Sequence, residues 1–120
     1  MAQKILVVDD DPEVRLALQL RLGHSGYVVL YAVNGAKAIA DAAQYAPDLI
    51  ILDIGMPIVD GWAVLERLRD SKIPIIVLSG IHKHGNRERA MLAGARAFLQ
   101  KPFDAGLLMA TIDYAIGDKS

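Results

Sequence analysis

No cysteine occurs in this chain, which excludes disulfides and thiol catalysis and permits a reducing compartment. Net charge is almost absent as well. Lys plus Arg number 13 against 14 Asp plus Glu, a formal −1, and that balance provides no electrostatic footprint for nucleic acid or for an anionic membrane. Long apolar runs are missing too: no uncharged stretch approaches the ~18 residues of a membrane span. The opening "MAQKILVVDDD" reaches acidic residues too early for a signal peptide. There is no internal repeat and no low-complexity or linker-like tract. These absences lead us to expect a cytoplasmic domain with no membrane partner and no direct nucleic-acid contact. The tail "IGDKS" reads equally as a natural end or as a cut before a further domain.

What is present is enough apolar material for one core. At 120 residues and 53% hydrophobic, the chain fits a single domain over 1–120, with its core at about 4–116. Short apolar runs alternate with longer helical patterns: "ILVV" at 5–8, "YVVLYA" at 27–32, "LIIL" at 49–52, "IIVL" at 75–78 and "AFLQ" at 97–100. None alternates with polar residues, as expected of strands covered on both faces of a parallel sheet. Helices are predicted at 12–24, 34–45, 61–70, 86–93 and 104–116. Asp11 before Pro12 and Glu13 supplies a cap, a first-turn proline and a first-turn acid. Asn34 and Asp104 are further caps, "DG" at 60–61 is a turn, and Gly23, Gly26 and Gly94 stand where helices would stop. Five strand-then-helix repeats predict a three-layer α/β domain, a doubly wound parallel sheet with right-handed crossovers.

Ligands of open sheets of this kind bind beyond the carboxyl ends of the strands. The residues at those exits are Asp9 and Asp10 after the first run, Asp53 after the third, Ser79 after the fourth and Lys101 after the fifth. Carboxylates gathered this way suit a hard divalent cation such as Mg2+, with Mn2+ as a substitute. An aspartate can also attack a phosphoryl group to form an acyl phosphate. A phosphorylated Asp53 beside Asp9 and Asp10 would gather about four negative charges, taking the phosphoryl group as roughly −2. A divalent cation and one lysine would offset about three of them.

"KILVVDDDPEVR", "LIILDIGMPIVDGW", "IIVLSG" and "FLQKPF", in this order and over about Lys4 to Ile116, resemble the receiver (CheY-like) domain of bacterial two-component response regulators. The resemblance implies the flavodoxin-like (βα)5 fold with strand order 2-1-3-4-5. It implies that Asp53 is the phosphoacceptor, and that Asp10 binds Mg2+ directly, Asp9 through water and Gly55 through its backbone carbonyl. Ser79 would be the switch hydroxyl, Lys101 the ammonium pairing with the phosphoryl group, and Phe98 an aromatic that turns inward on activation. A cis peptide is implied before Pro102. The implied donor is a sensor histidine kinase or a histidine phosphotransfer protein. The implied readout is a downstream effector or output domain, with a phosphorylation-dependent homodimer admitted. Such a domain is not an enzyme in the ordinary sense, since it catalyses only its own phosphorylation and dephosphorylation.

Two departures from the family pattern stand out. Gly80 replaces a more usual alanine, while Gly55 and Ile81 replace polar groups that position hydrolytic water, so slow self-dephosphorylation is expected. The face of the fourth helix, fifth strand and fifth helix offers Arg87, Arg89, Met91, Leu107 and Tyr114 to a partner, with Leu108, Thr111, Ile112 and Ala115 on the buried side of the last helix. Plainer readings apply to single residues. Asp11 is only a cap, and Phe98 is read equally as core or gate. Trp62 packs over the start of the third helix. Lys83, Arg87 and Arg89 are a solvated helix start, and the histidines of "HKH" at 82–84 lack a third ligand. Among rival functions, an aspartyl phosphatase of the haloacid dehalogenase type needs an acid where Gly55 stands. A flavodoxin needs a Ser/Thr-rich phosphate loop where "DDDPE" stands. A degenerate receiver that only binds partners would not need so complete a set of acids.

Overall fold

The apolar runs lack polar alternation because most are covered on both faces; the run at 27–32 is the exception, an edge strand with Val28 and Tyr31 exposed. In the computed structural model, which describes residues 2–55, 61–80 and 86–117, the runs form β1 (Lys4–Val8), β2 (Val28–Ala32), β3 (Leu49–Asp53), β4 (Ile75–Ser79) and β5 (Ala97–Gln100). All pair in parallel, in the order β2-β1-β3-β4-β5. This is the flavodoxin-like order expected.

Alternate residues of each strand serve two different cores. Leu6, Val8, Ile50, Leu52, Ile75 and Val77 point to one side, where α2 (Gly35–Tyr45), α3 (Gly61–Leu68) and α4 (Asn86–Leu92) contribute Ala38, Ala42, Val64, Leu65, Leu68 and Ala90. Ile5, Val7, Leu49, Ile51, Ile76, Leu78 and Leu99 point to the other, where α1 (Pro12–His24) and α5 (Ala105–Gly117) contribute Leu18, Leu22, Leu108, Ile112, Ala115 and Ile116. A period of two therefore runs through β1, β3 and β4, which read as unbroken apolar runs because both phases are buried. Each fully buried Leu or Ile of this kind contributes about 1.5–3 kcal/mol of transfer free energy.

The helix ends follow local chemistry. The Asp11 carboxylate accepts from the Glu13 amide at 2.9 Å, and Asn34 Oδ1 accepts from the Lys37 amide at 2.8 Å. Asp104 Oδ1 accepts from the Gly106 amide at 3.1 Å. Asn34 and Asp104 thus lie just outside helices predicted to include them, as capping residues do. The third predicted helix breaks earlier than expected: α3 ends at Leu68 and a 3₁₀ turn covers Arg69–Ser71. Gly23 does not end α1, which runs on to His24. Gly26 is the glycine the turn requires, at φ +94°. On α5, Leu108, Ile112 and Ala115 are buried as predicted, whereas Thr111 is only half-buried and donates back to the Leu107 carbonyl at 2.7 Å. Among the described residues, no helix is long and apolar enough to cross a membrane. Asp60, Ile81, "HKH" at 82–84 and the last three residues of the tail lie outside the described residues.

Candidate functional site

Parallel register brings the strand exits together. Val8 pairs with Leu52 across β1 and β3, so Asp9 and Asp53 follow side by side. Asp53 pairs with Leu78, so Ser79 comes next on the neighbouring strand. Ser79 pairs with Gln100, and its carbonyl accepts from the Lys101 amide at 2.8 Å. The winding reverses direction between β1 and β3, and the crevice at such a reversal is where open α/β sheets hold ligands.

One ammonium joins the two buried acids. Lys101 Nζ donates to Asp9 Oδ2 at 3.0 Å and to Asp53 Oδ2 at 3.2 Å. The remaining oxygens take backbone amides: Asp9 Oδ1 accepts from Asp11 N at 2.9 Å, and Asp53 Oδ1 accepts from Gly55 N at 2.8 Å. Carboxylate oxygens of Asp9, Asp10 and Asp53 lie within 4.8 Å of one another. Asp9 and Asp53 are buried and Asp10 is exposed, so the group has a closed floor and an open mouth. Ser79 is fully buried at the wall. The Lys101–Pro102 peptide is cis, as the resemblance implied.

The electrostatics match this arrangement. Burial raises the Asp9 carboxyl above its ordinary value, and the charge of Asp53 adds to that; the Asp11 amide and the Lys101 ammonium offset only part. Burial alone would lower Lys101, but its hydrogen bond to Asp9 and the charges of Asp53 and Asp9 prevail and hold the ammonium above its ordinary value. Three close carboxylates served by one lysine leave an uncompensated negative site. An all-oxygen set with open access suits a small hard cation that keeps some of its water.

Phe98 is buried in the core on the α4 side of the sheet, which also holds Val77 and Ala90. The Arg87 guanidinium sits 5.2 Å from the ring centroid. Around it, a cavity of about 570 Å³ is lined by residues that include Met91, Leu107 and Tyr114, all three exposed as predicted. Arg87 and Arg89 are exposed, as expected of a solvated helix start, and each also lies over an aromatic ring: the Arg89 guanidinium stands 4.0 Å from the Trp62 ring centroid. No spacing in the sequence could have signalled this, because Trp62 and Phe98 belong to other elements. A Cβ on Gly80 would meet Lys101 Cδ at 3.7 Å, an ordinary contact. An alanine would therefore fit, and its absence leaves room beside the Lys101 stem.

Comparison with known proteins agrees with the fold. Residues 5–113 match the family described as the response regulator receiver domain. The chain is 41% identical over 111 residues to the transcriptional regulatory protein PrrA of Mycobacterium tuberculosis, covering 91% of this chain and 48% of PrrA. The chain spans about half the length of the curated relatives it matches. Among solved structures, a two-component response regulator from Clostridium difficile superposes with TM-score 0.92 at 27% identity, covering 98% of this chain and 99% of that one. The receiver domain of a sensor histidine kinase from Pseudomonas aeruginosa, with a magnesium ion coordinated in its active-site cleft, superposes with TM-score 0.88 at 30% identity, covering 98% of this chain and all of that one.

Proposed function

The chain belongs to the response regulator receiver domain family of two-component signalling, and from that premise we propose that it is a phosphoacceptor switch working through Asp53. The observation that carries this reading is the Lys101 ammonium between Asp9 and Asp53, at 3.0 and 3.2 Å, with the Asp10 carboxylate beside them. Asp53 attacks the phosphorus of a phosphohistidine on a sensor kinase or a phosphotransfer protein. A P–O bond forms as the P–N bond breaks, and the departing imidazole takes a proton from solvent. Asp9, Asp10, Asp53 and the Gly55 carbonyl would hold Mg2+, or Mn2+ in its place, and the ion supplies charge neutralisation for the incoming phosphoryl group. The magnesium-bearing Pseudomonas receiver supports that assignment.

After transfer, Lys101 moves from pairing two carboxylates to pairing the phosphoryl oxygens, and the Ser79 hydroxyl donates to the same group. Hydrogen bonds to charged groups contribute about 1.5–3 kcal/mol each. Two or three of them reach the roughly 5.5 kcal/mol that carries a two-state equilibrium from 1:99 to 99:1. Movement of Ser79 vacates space behind β4, and Phe98 follows it, so the face of α4, β5 and α5 reports the change to an effector, an output domain or a second copy of the chain. Beyond its own phosphorylation and dephosphorylation, the domain performs no turnover.

Acetyl phosphate with Mg2+, followed by intact mass, tests the chemistry. The natural chain should gain one phosphoryl group and Asp53→Ala none. Equal uptake by Asp53→Ala, or no uptake by the natural chain, overturns the reading.

A further inference from the structure

The first residue of α3 approaches the backbone of the residue that follows the acceptor. A Cβ built on Gly61 would fall inside the van der Waals envelope of Ile54 Cα, and it would lie 3.1 Å from both the carbonyl carbon and the Cβ of Ile54. Two of these three blocking atoms are backbone, so no side-chain rotation could clear them. Ile54 is also held from the other side. Its amide donates to the Leu78 carbonyl at 3.1 Å, and its side chain is buried in the core beneath α2 and α3. The helix is equally committed, since Val64, Leu65 and Leu68 are buried. A methyl group at position 61 must therefore either lift α3 from its core or displace Ile54.

Ile54 is the link between Asp53 and Gly55, and the Gly55 amide holds Asp53 Oδ1 at 2.8 Å. A shift of this link tilts a carboxylate and a carbonyl together. Mg2+ requires near-octahedral oxygens at about 2.0–2.1 Å, so a displacement of a few tenths of an ångström is already large for it.

We infer that Gly61 is a positioning residue for the acceptor turn: its bare backbone lets α3 sit directly on Ile54 and so fixes where Asp53 and the Gly55 carbonyl face the metal. The inference rests on the magnesium reading above and concerns the same site.

Titrating Mg2+ alone by calorimetry into the natural chain, Gly61→Ala, Gly23→Ala and Leu68→Ala tests it. A Cβ at Gly23 meets nothing within 4 Å, and Leu68→Ala weakens the core under α3 at the end of the helix opposite Gly61. Gly61→Ala should bind Mg2+ at least tenfold more weakly while keeping its helical circular dichroism, whereas Gly23→Ala and Leu68→Ala keep the natural affinity. Equal affinity in Gly61→Ala and the natural chain overturns the inference alone, and so does an equal loss in Leu68→Ala. No Mg2+ binding by the natural chain overturns the function reading and this inference with it. Should Gly61→Ala fail to fold, the natural chain decides. In an NMR titration the Gly61 amide resonance should move with the same midpoint as that of Gly55, and an unmoved Gly61 resonance at saturation overturns the inference.

Discussion

Lys101 touches carboxylates at the exits of two different strands, and its side chain is only 20% exposed. Removing it leaves Asp9, which has no exposure at all, with the Asp11 amide as its hydrogen-bond partner among the described residues. A buried acceptor stripped of a partner costs about 1–3 kcal/mol, and Lys101→Met should destabilise the metal-free chain by that order. The loss has a definite pH range. The folded chain holds the Lys101 ammonium above its ordinary value, so the lysine contributes fully below the unfolded value near 10.4 and loses that contribution as pH rises through the raised folded value. Urea unfolding of both chains from neutral to strongly alkaline pH should show a constant gap that closes only beyond the ordinary lysine range. A gap that closes around neutrality would refute this account. The meeting of Asp9, Asp53 and Lys101 was legible in the sequence because each directly follows an apolar run, and a parallel sheet sends all run ends to one edge. The reach of Lys101 across to both acids was not, since it depends on side-chain geometry between β5, β1 and β3.

At the scale of the element, α4 is the shortest of the described α-helices. It has seven residues, and only Asn86 and Ala90 are buried. Its two arginines make up part of the difference by lying over rings on either side, Arg87 over Phe98 of β5 and Arg89 over Trp62 of α3. Cation–π contacts at exposed sites contribute about 0.5–1 kcal/mol each, a noticeable share for so short a helix. Trp62 is the only tryptophan in the chain, which makes the contact directly observable. Arg89→Ala should shift the tryptophan emission and lower stability by about 0.5–1 kcal/mol, whereas Arg87→Ala should leave the emission unchanged. Identical spectra for the natural chain and Arg89→Ala would show that the stack does not form in solution. The same helix marks where sequence reading stops. Strands and helices were legible from local periodicity and caps such as Asp11 and Asn34, because these signals lie within a few residues. The end of α3 and the stacks on α4 depend on packing between elements, which no single window of sequence contains.

For the molecule as a whole, near-neutrality conceals an uneven distribution. The formal charge is −1, yet three carboxylates converge at one edge of the sheet with a single ammonium between two of them. A ligand that binds only the folded state stabilises it by about 2.7 kcal/mol at one hundred times its dissociation constant. Saturating Mg2+ should therefore raise the thermal midpoint by several degrees, and a chelator should reverse the rise. General screening of like charges would also stabilise the fold, so the control is sodium chloride at matched ionic strength, which reaches exposed charges over a Debye length of about 10 Å at 0.1 M but cannot coordinate. Asp10 separates the two causes further. It is exposed, in contrast to buried Asp9 and Asp53, so Asp10→Asn should leave metal-free stability within about 0.5 kcal/mol while reducing the magnesium-induced rise. If sodium chloride reproduces the rise, or if Asp10→Asn retains it in full, then the acids merely repel one another at this edge and no ion is held there.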